Sequence, residues 1–299
     1  MISIVVPNFN SGQRLAKNLP KLLELLKKTK LDFEVIVTDD ASSDDSLGVL
    51  RNLSHLSNLK FVTFPKNTGF GTNVDRGIRA SKGEIVFILN AIDILPAKQD
   101  YFSLMLKHFG DSGVFSVAAA KKDEIGTHGC GEIYFSRGFY LHRHKPVTSG
   151  QVLVTSDWAD GGAQAIRREY YLKIGGFDPI YKLYWEDVDL GYRAWQAGYK
   201  IIYEPKAILL HDKSEGPIAK RYSDKELRRM NLYGQFIFTW KNADLIHLLQ
   251  YFLWEPYHAA VALKNRDWVW FVAYWQAVFQ WLEIIKRRVS QKVSKRYQG

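Results

Sequence analysis

The side chains best suited to acid–base chemistry in this 299-residue chain are the three carboxylates of Trp185-Glu186-Asp187-Val188-Asp189. A carboxylate there can take the proton of an attacking hydroxyl, a general-base contribution of typically ~10²–10⁴-fold. The same acids also suit a helix N-terminus, where the peptide dipole favours negative charge. Asp189 and Arg193 stand at i and i+4, which predicts an intrahelical ion pair. Asp39, Asp40 and Ser42 form a second polar group, which alone reads equally well as a turn capping the next helix. With Pro7, Phe9 and Asn10 they would build a flat, partly apolar slot with hydrogen-bond partners on its edge. Asn67, Gly69, Gly71 and Asn73 form a Gly-rich lead into a helix, where backbone N–H groups can approach a ligand. A plain loop–helix junction would use the same residues.

These segments need a scaffold that gathers them. From residue 2 to about 120, short β-branched runs alternate with helical stretches, the pattern of βαβ units on a mostly parallel sheet. Strands are predicted at Ile2–Val6, Phe33–Val37, Lys60–Phe64, Glu84–Leu89 and Val114–Ala119. Leu15, Leu19, Leu22, Leu23 and Leu26 make one stripe at helical spacing, and Asp44–Leu53 opens a second helix on capping residues. Ligands of such sheets bind beyond the carboxyl ends of the strands, which sets Pro7–Ser11, Asp39–Asp44 and Asn90–Asp93 around one crevice. Residues 121–165 are rich in Gly, His and Tyr with weak periodicity, so loops and irregular strands are expected there. Glu186–Gly198 is predicted as a helix closed by glycine, then a strand Lys200–Tyr203, then a strand Ala207–Leu210 that closes on His211.

The order of IVVPNFN, VTDDASSDDS, NTGFGTNVDRGI, FILNAID, GGFD, WEDVDLGYRAWQAGY and a downstream histidine resembles glycosyltransferase family 2, in particular its rhamnosyltransferase-like branch. The resemblance covers roughly residues 1–212 and implies an α/β fold of the GT-A type: a Rossmann-like, mostly parallel central sheet, here with a C-terminal helical extension. It implies that Pro7, Phe9, Asn10, Asp39, Asp40, Asn67, Gly71, Asn73, Asn90 and Ala91 bind a nucleotide-sugar donor. By the same resemblance Asp187 is the base of an inverting transfer, with Glu186 beside it, and Gly161, Gly162 and Trp185 line the acceptor site. The family places an Asp-x-Asp motif at the end of the strand that reaches Leu89. Here Asn90 and Ile92 replace its aspartates, and Asp93 alone keeps a carboxylate. A divalent metal, Mn or Mg, would be held by Asp93 and His211 with phosphate oxygens and water. Asp93 alone also reads as a strand-end turn residue. Asp160-Gly161-Gly162-Ala163 and Gly175-Gly176-Phe177-Asp178 supply small residues against which a sugar could lie, or simply turns.

Hydrophobic residues make up 46% of the chain, enough for a sizeable core. The single cysteine, Cys130, excludes an intrachain disulfide and a Cys-based zinc site. MISIVVPNFN reads as a first strand and not as an export signal, so a cytoplasmic setting is expected. The net charge of +10 is uneven: residues 216–299 hold 14 Lys+Arg against 6 Asp+Glu, leaving 27 against 25 upstream. The same tail carries six of the nine tryptophans, and a domain boundary is expected near residue 215. That division gives a catalytic region 1–215 and an aromatic, basic helical region 216–299. Trp268–Leu282 is 15 uncharged residues, too short to span a bilayer that needs ~20. Trp268, Phe271, Val272, Trp275, Phe279 and Leu282 are predicted to share one face opposite Gln276, Gln280 and Glu283, followed by Lys286, Arg287 and Arg288. A peripheral contact with the cytoplasmic face of a membrane, or a homo-oligomer interface, would use that face. The partners implied are a nucleotide-sugar donor and a glycan or lipid-linked acceptor. A near-neutral main body without a recognition motif speaks against nucleic acid. The altered metal motif leaves a non-catalytic nucleotide- or glycan-binding relative as the alternative.

Overall fold

A computed structural model describes residues 1–56, 58–90, 94–124, 126–146, 154–211 and 221–296. The chain divides into two compact units. The first lies within Met1–Glu132, His144–Lys182 and Glu186–Lys220.

The first unit is organised by strands whose both faces are covered. β1 (Ile2–Asn8) and β2 (Phe33–Asp39) are buried along all seven residues, and β4 (Ile85–Leu89) along all five. Such continuous apolar runs mark the parallel strands of a sheet with helices on both sides. β3 (Leu59–Thr63) is the half-exposed edge. These four pair in parallel in the order β3-β2-β1-β4, so the connections wind away from β1 in both directions. The crevice at that reversal, beyond the carboxyl ends of β1 and β4, is where such sheets take ligands.

One layer of helices packs on each face. On one side, α1 (Gly12–Lys28) buries the Leu15, Leu19, Leu22, Leu23 and Leu26 stripe with α2 (Ser46–Leu53) and α4 (Tyr101–Leu106). On the other, α3 (Phe70–Ala80), α5 (Arg168–Lys173) and α6 (Glu186–Gln196) bury Val74, Ile78, Tyr171, Leu190 and Ala194.

Beyond β4 the sheet ceases to be purely parallel. β11 (Ala163–Arg167) runs antiparallel between β4 and β6 (Val114–Lys122), and β6 pairs in parallel with β12 (Lys200–His211). β5 (Ile94–Pro96), β7 (Thr127–His128) and β10 (Val154–Thr155) add short antiparallel pairings, for ten strands among the described residues. The segment expected to be irregular thus contributes a central strand. The two strands predicted around Pro205 are one, with a register shift between Glu204 and Ile208 where the proline cannot donate to the ladder.

The second unit comprises Ile133–Arg143, Leu183–Trp185 and Arg221–Gly299. Its first piece is the body of a hairpin, β8 (Gly131–Ser136) with β9 (Phe139–His144). Four helices follow: α7 (Asp224–Asn242), α8 (Leu245–Lys264), α9 (Trp268–Val278) and α10 (Trp281–Arg296). Ser223 and Glu226 close a reciprocal capping box on α7, while Asp244 and Asp267 cap α8 and α9. The unit's core is aromatic: Phe139, Phe236, Trp240 and Tyr251 meet edge to face or tilted, and Trp270 stacks on Tyr274 at 5.4 Å. No helix among the described residues is long and apolar enough to cross a membrane.

Candidate active site

The crevice of the first unit is built where β1, β2 and β4 end and α3 and α6 begin. The loops after β1 and β2 are tied together: Asn8 Nδ2 donates to Asp39 Oδ1 (2.7 Å), Ser42 N donates to Asp39 Oδ2 (3.0 Å), and Asn10 N donates to Ser42 Oγ (2.8 Å). Asn10 returns an acceptor to Ser43 N (2.7 Å) from a left-handed backbone at φ 48°. Pro7 is buried in β1, Phe9 is half-buried and Asn10 is exposed at the mouth.

Asp40 and Asn73 point into the framework. Asp40 accepts from Thr68 N, Thr68 Oγ1 and Gly69 N, all at 2.9 Å, and so straps β2 to the start of α3. Asn73 donates to the Thr38 carbonyl (3.0 Å), and Asn67 to the Asp40 carbonyl (3.1 Å). Gly69, at φ 91°, brings its backbone close to the Lys182 carbonyl; a Cβ there would lie 2.6 Å from that oxygen. The entry to α3 therefore depends on this glycine.

The acidic centre stands at the N-terminus of α6. Asp187 Oδ2 accepts from Gly161 N (3.1 Å) and Oδ1 from Val188 N (2.8 Å). The neighbouring Gly162 N donates to Asp160 Oδ1 (3.2 Å), so two consecutive amides of one turn hold two carboxylates. A Cβ on Gly162 would fall 2.3 Å from the Asn90 Cβ, so this turn can lie against the end of β4 only without a side chain. Lys121, at the end of β6, is ion-paired with Asp160.

Burial disfavours the ionised forms of this cluster. It pushes Asp187 up to about 6, with the Asp160 charge adding to the effect. It pushes Glu186 well above the carboxylate range, with Asp187 adding. Asp160 goes the other way: burial opposes its charge most strongly, but the Lys121 ammonium, the Gly162 amide and His144 together hold it below the usual carboxylate value. The result is one committed ion pair beside Asp187, which can take or release a proton near neutral pH, and Glu186, whose burial favours the neutral acid. Glu186 is buried against Gly71 and Phe177, and its Oε2 has no hydrogen-bond partner among the described residues.

The rest of α6 is an anchor. Asp189 and Arg193 form the i,i+4 pair the spacing predicts, at 2.7 Å. Arg193 also donates to the carbonyls of Ile174 (2.8 Å) and Gly176 (2.7 Å), fixing the Gly175-Gly176 turn beneath the helix.

Trp185 belongs to the second unit. Its indole is enclosed, with Nε1 donating to Asn231 Oδ1 (2.8 Å) and the ring packed on His142 and Phe238. Tyr184 and Trp185 both adopt left-handed backbone, at φ 66° and 70°. Non-glycine residues rarely hold that conformation unless their surroundings impose it.

His211 closes β12, in register with Ile94. Ala91 and Asp93 lie outside the described residues. Among the described residues no three His, Cys, Asp or Glu side chains converge to hold a metal ion. The described side chains thus do not form a metal cage by themselves.

The residues missed from sequence are Lys121 and the carboxylate role of Asp160. A lysine at the carboxyl end of a central strand was the available signal, hidden because β6 runs to Lys122 and the predicted strand stopped at Ala119.

Comparison with known proteins agrees with this geometry. Over 98 residues the chain is 34% identical to the poly(ribitol-phosphate) β-N-acetylglucosaminyltransferase TarP of Staphylococcus aureus, covering 31% of this chain and 29% of TarP. Over 57 residues it is 44% identical to the N-acetylglucosaminyl-diphospho-decaprenol L-rhamnosyltransferase of Mycobacterium tuberculosis, 19% of each chain. The matches therefore span less than a third of either relative. Among solved structures, GalNAc-T7 with UDP, GalNAc and Mn²⁺ superposes with a TM-score of 0.62 at 18% identity, covering 78% of this chain and 46% of that one. This is a likeness of fold, and the fold is GT-A. The family model for glycosyl transferase family 2 matches residues 3–175, more than half of the sequence, and the chain belongs to that family.

Proposed function

We propose that this chain is an inverting glycosyltransferase. It would move a sugar from a UDP- or dTDP-sugar to a hydroxyl of a saccharide or polyprenyl-linked acceptor in cell-surface polysaccharide synthesis. The observation that carries the reading is Asp187: a carboxyl group pushed up to about 6 at the head of α6, held by the Gly161 amide of the turn that lies against Asn90 at the end of β4. A base with a pKa near working pH is both largely ionised and strong enough to take a hydroxyl proton.

In this mechanism the loops after β1 and β2 hold the nucleoside, with Asp39, Asn10 and Phe9 at the slot. Asn67 to Asn73 border the diphosphate, and the amides of the first turn of α3 from Phe70 to Thr72 would face it, since those of Thr68 and Gly69 are held by Asp40. The acceptor oxygen attacks the anomeric carbon, the bond to the diphosphate breaks on the opposite face, and the proton passes to Asp187. Glu186, held neutral by burial, serves as a hydrogen-bond donor beside it. Lys121 neutralises Asp160, so Asp187 meets one fewer uncompensated negative charge. A divalent metal on the donor, if used, would draw on Asp93 and His211. Mn²⁺ is present in the GalNAc-T7 structure named above.

The test is thermal stabilisation by UDP-, dTDP- and GDP-sugars, each with Mn²⁺, Mg²⁺ or EDTA, because a ligand that binds only the folded state raises its stability. A shift confined to one nucleotide class supports the reading and names the donor class. The EDTA arm decides the metal requirement. No shift with any donor, with and without acceptor, refutes it.

A further inference from the structure

The helices after α7 carry a surface that glycosyl transfer does not explain. α8 and α9 each turn one face inward, through Tyr251 and Ala262 on α8 and Trp270, Ala273 and Ala277 on α9. Their outer faces are also apolar. Leu253 is 79% exposed on α8, Phe279 is 83% exposed just past α9, and Leu282 is 75% exposed on α10. Phe271, predicted to share the outer face, is half-buried, while Gln276 is exposed. α9 is thus apolar on both sides, one filling the core and one facing water.

Charge completes the pattern. Between residues 245 and 288 each carboxylate is half-buried and engaged: Glu255 with Tyr274, Asp267 with Arg228 and the head of α9, Glu283 with Arg287 at 2.8 Å and with the largely exposed Lys286 at 4.0 Å. The exposed ions of the same stretch are all cations: Lys264, Arg266 and Lys286. The sequence then adds Lys292, Lys295 and Arg296 with no further acid. Trp254, Trp268 and Trp275 are exposed among the aliphatic side chains, and amphipathic indoles favour the boundary between headgroups and acyl chains.

We propose that α8, α9 and the start of α10 form a docking surface that lies in the headgroup layer of an anionic bilayer. Apolar side chains would enter the acyl boundary, and Lys264, Arg266 and Lys286 would meet lipid phosphates. A second copy of the chain fits less well. An isologous contact sets each patch against itself, here Lys264, Arg266 and Lys286 against their own copies, while the exposed carboxylate at the head of α8, Asp244, is already engaged by His247. The surface does not depend on which residue is the catalytic base.

The full chain is to be mixed with vesicles of phosphatidylcholine alone or with phosphatidylglycerol, followed by flotation and by sedimentation analysis of the lipid-free protein. Binding is expected to the anionic vesicles and to weaken with salt. A variant combining Lys264→Gln, Arg266→Gln and Lys286→Gln should lose about fivefold in affinity for each charge removed. A second variant, Leu253→Glu with Phe279→Glu and Leu282→Glu, should fail to float while keeping the helical circular dichroism of the parent. Absence of binding by the parent to anionic vesicles overturns the proposal, as does undiminished binding by the glutamate variant. A lipid-free dimer that the glutamate variant dissolves, without vesicle binding, assigns the surface to self-association.

Discussion

Replacing Asp187 with Asn should stabilise the protein at alkaline pH while it inactivates the site. Burial and Asp160 raise this carboxyl from 3.8 to about 6. At pH 8 the folded state therefore carries an ionised group that its surroundings disfavour, at a cost of about 3 kcal/mol by the free-energy equivalent of a pKa unit. An amide has no such charge, but it offers one acceptor oxygen where the carboxylate uses two, for Gly161 N and Val188 N. Losing one of those bonds costs about 1 kcal/mol, leaving a net gain of roughly 2 kcal/mol. For a unit of roughly 150–250 residues that gain corresponds to a Tm about 4–8 °C higher. The sign follows from linkage. The folded pKa lies above the unfolded one, so the group's favourable contribution is complete below 3.8 and is lost as pH rises through about 6. The advantage of Asp187→Asn must therefore be full at pH 8 and fade towards pH 4. Thermal melts of both proteins across that range provide the assay. A variant no more stable than the parent at pH 8, or a difference independent of pH, refutes the placement of Asp187 in a charge-averse site.

Asp160→Asn removes the like charge facing Asp187 and frees the Lys121 cation, two changes that both favour ionised Asp187. The acid limb of the pH–rate profile, set by a base near 6 in the parent, should move down by about one unit. Asp40→Ala leaves the amides of Thr68 and Gly69 without their buried acceptor. Stability should fall by about 1–3 kcal/mol in denaturant titration, and donor affinity should fall with it. Gly234→Ala places a Cβ 2.5 Å from the Trp185 ring in the second unit, and overpacking of this kind costs about 1–3 kcal/mol, read as a lower Tm.

Much of the first unit was legible because its physics is local. β1, β2 and β4 read as strands since burial on both faces demands unbroken apolar runs. The leucine stripe of α1 and the Asp189–Arg193 pair follow from helical spacing alone. Other elements depend on partners that sequence does not display. β11 is built from Ala163, Gln164 and Ala165, small or polar residues that become core because β4 and β6 flank them. β12 read as two strands because Pro205 interrupts its pattern, yet pairing with β6 carries the strand past the proline. The outward face of α9 was only partly legible because both of its faces are apolar, leaving periodicity little contrast. At the site, residue types pointed to Glu186 and Asp187, but the opposing action of Lys121 and Asp160 arises from tertiary placement.

The central claim is that Asp187 takes the acceptor's proton during sugar transfer. Its most direct test is acceptor-dependent release of nucleoside diphosphate, measured at saturating donor for the parent and Asp187→Asn, alongside donor affinity for both. The account predicts a fall in turnover of at least about 10² with donor affinity nearly unchanged. Parent-like turnover by the variant, or an equal loss of binding and turnover, would contradict it.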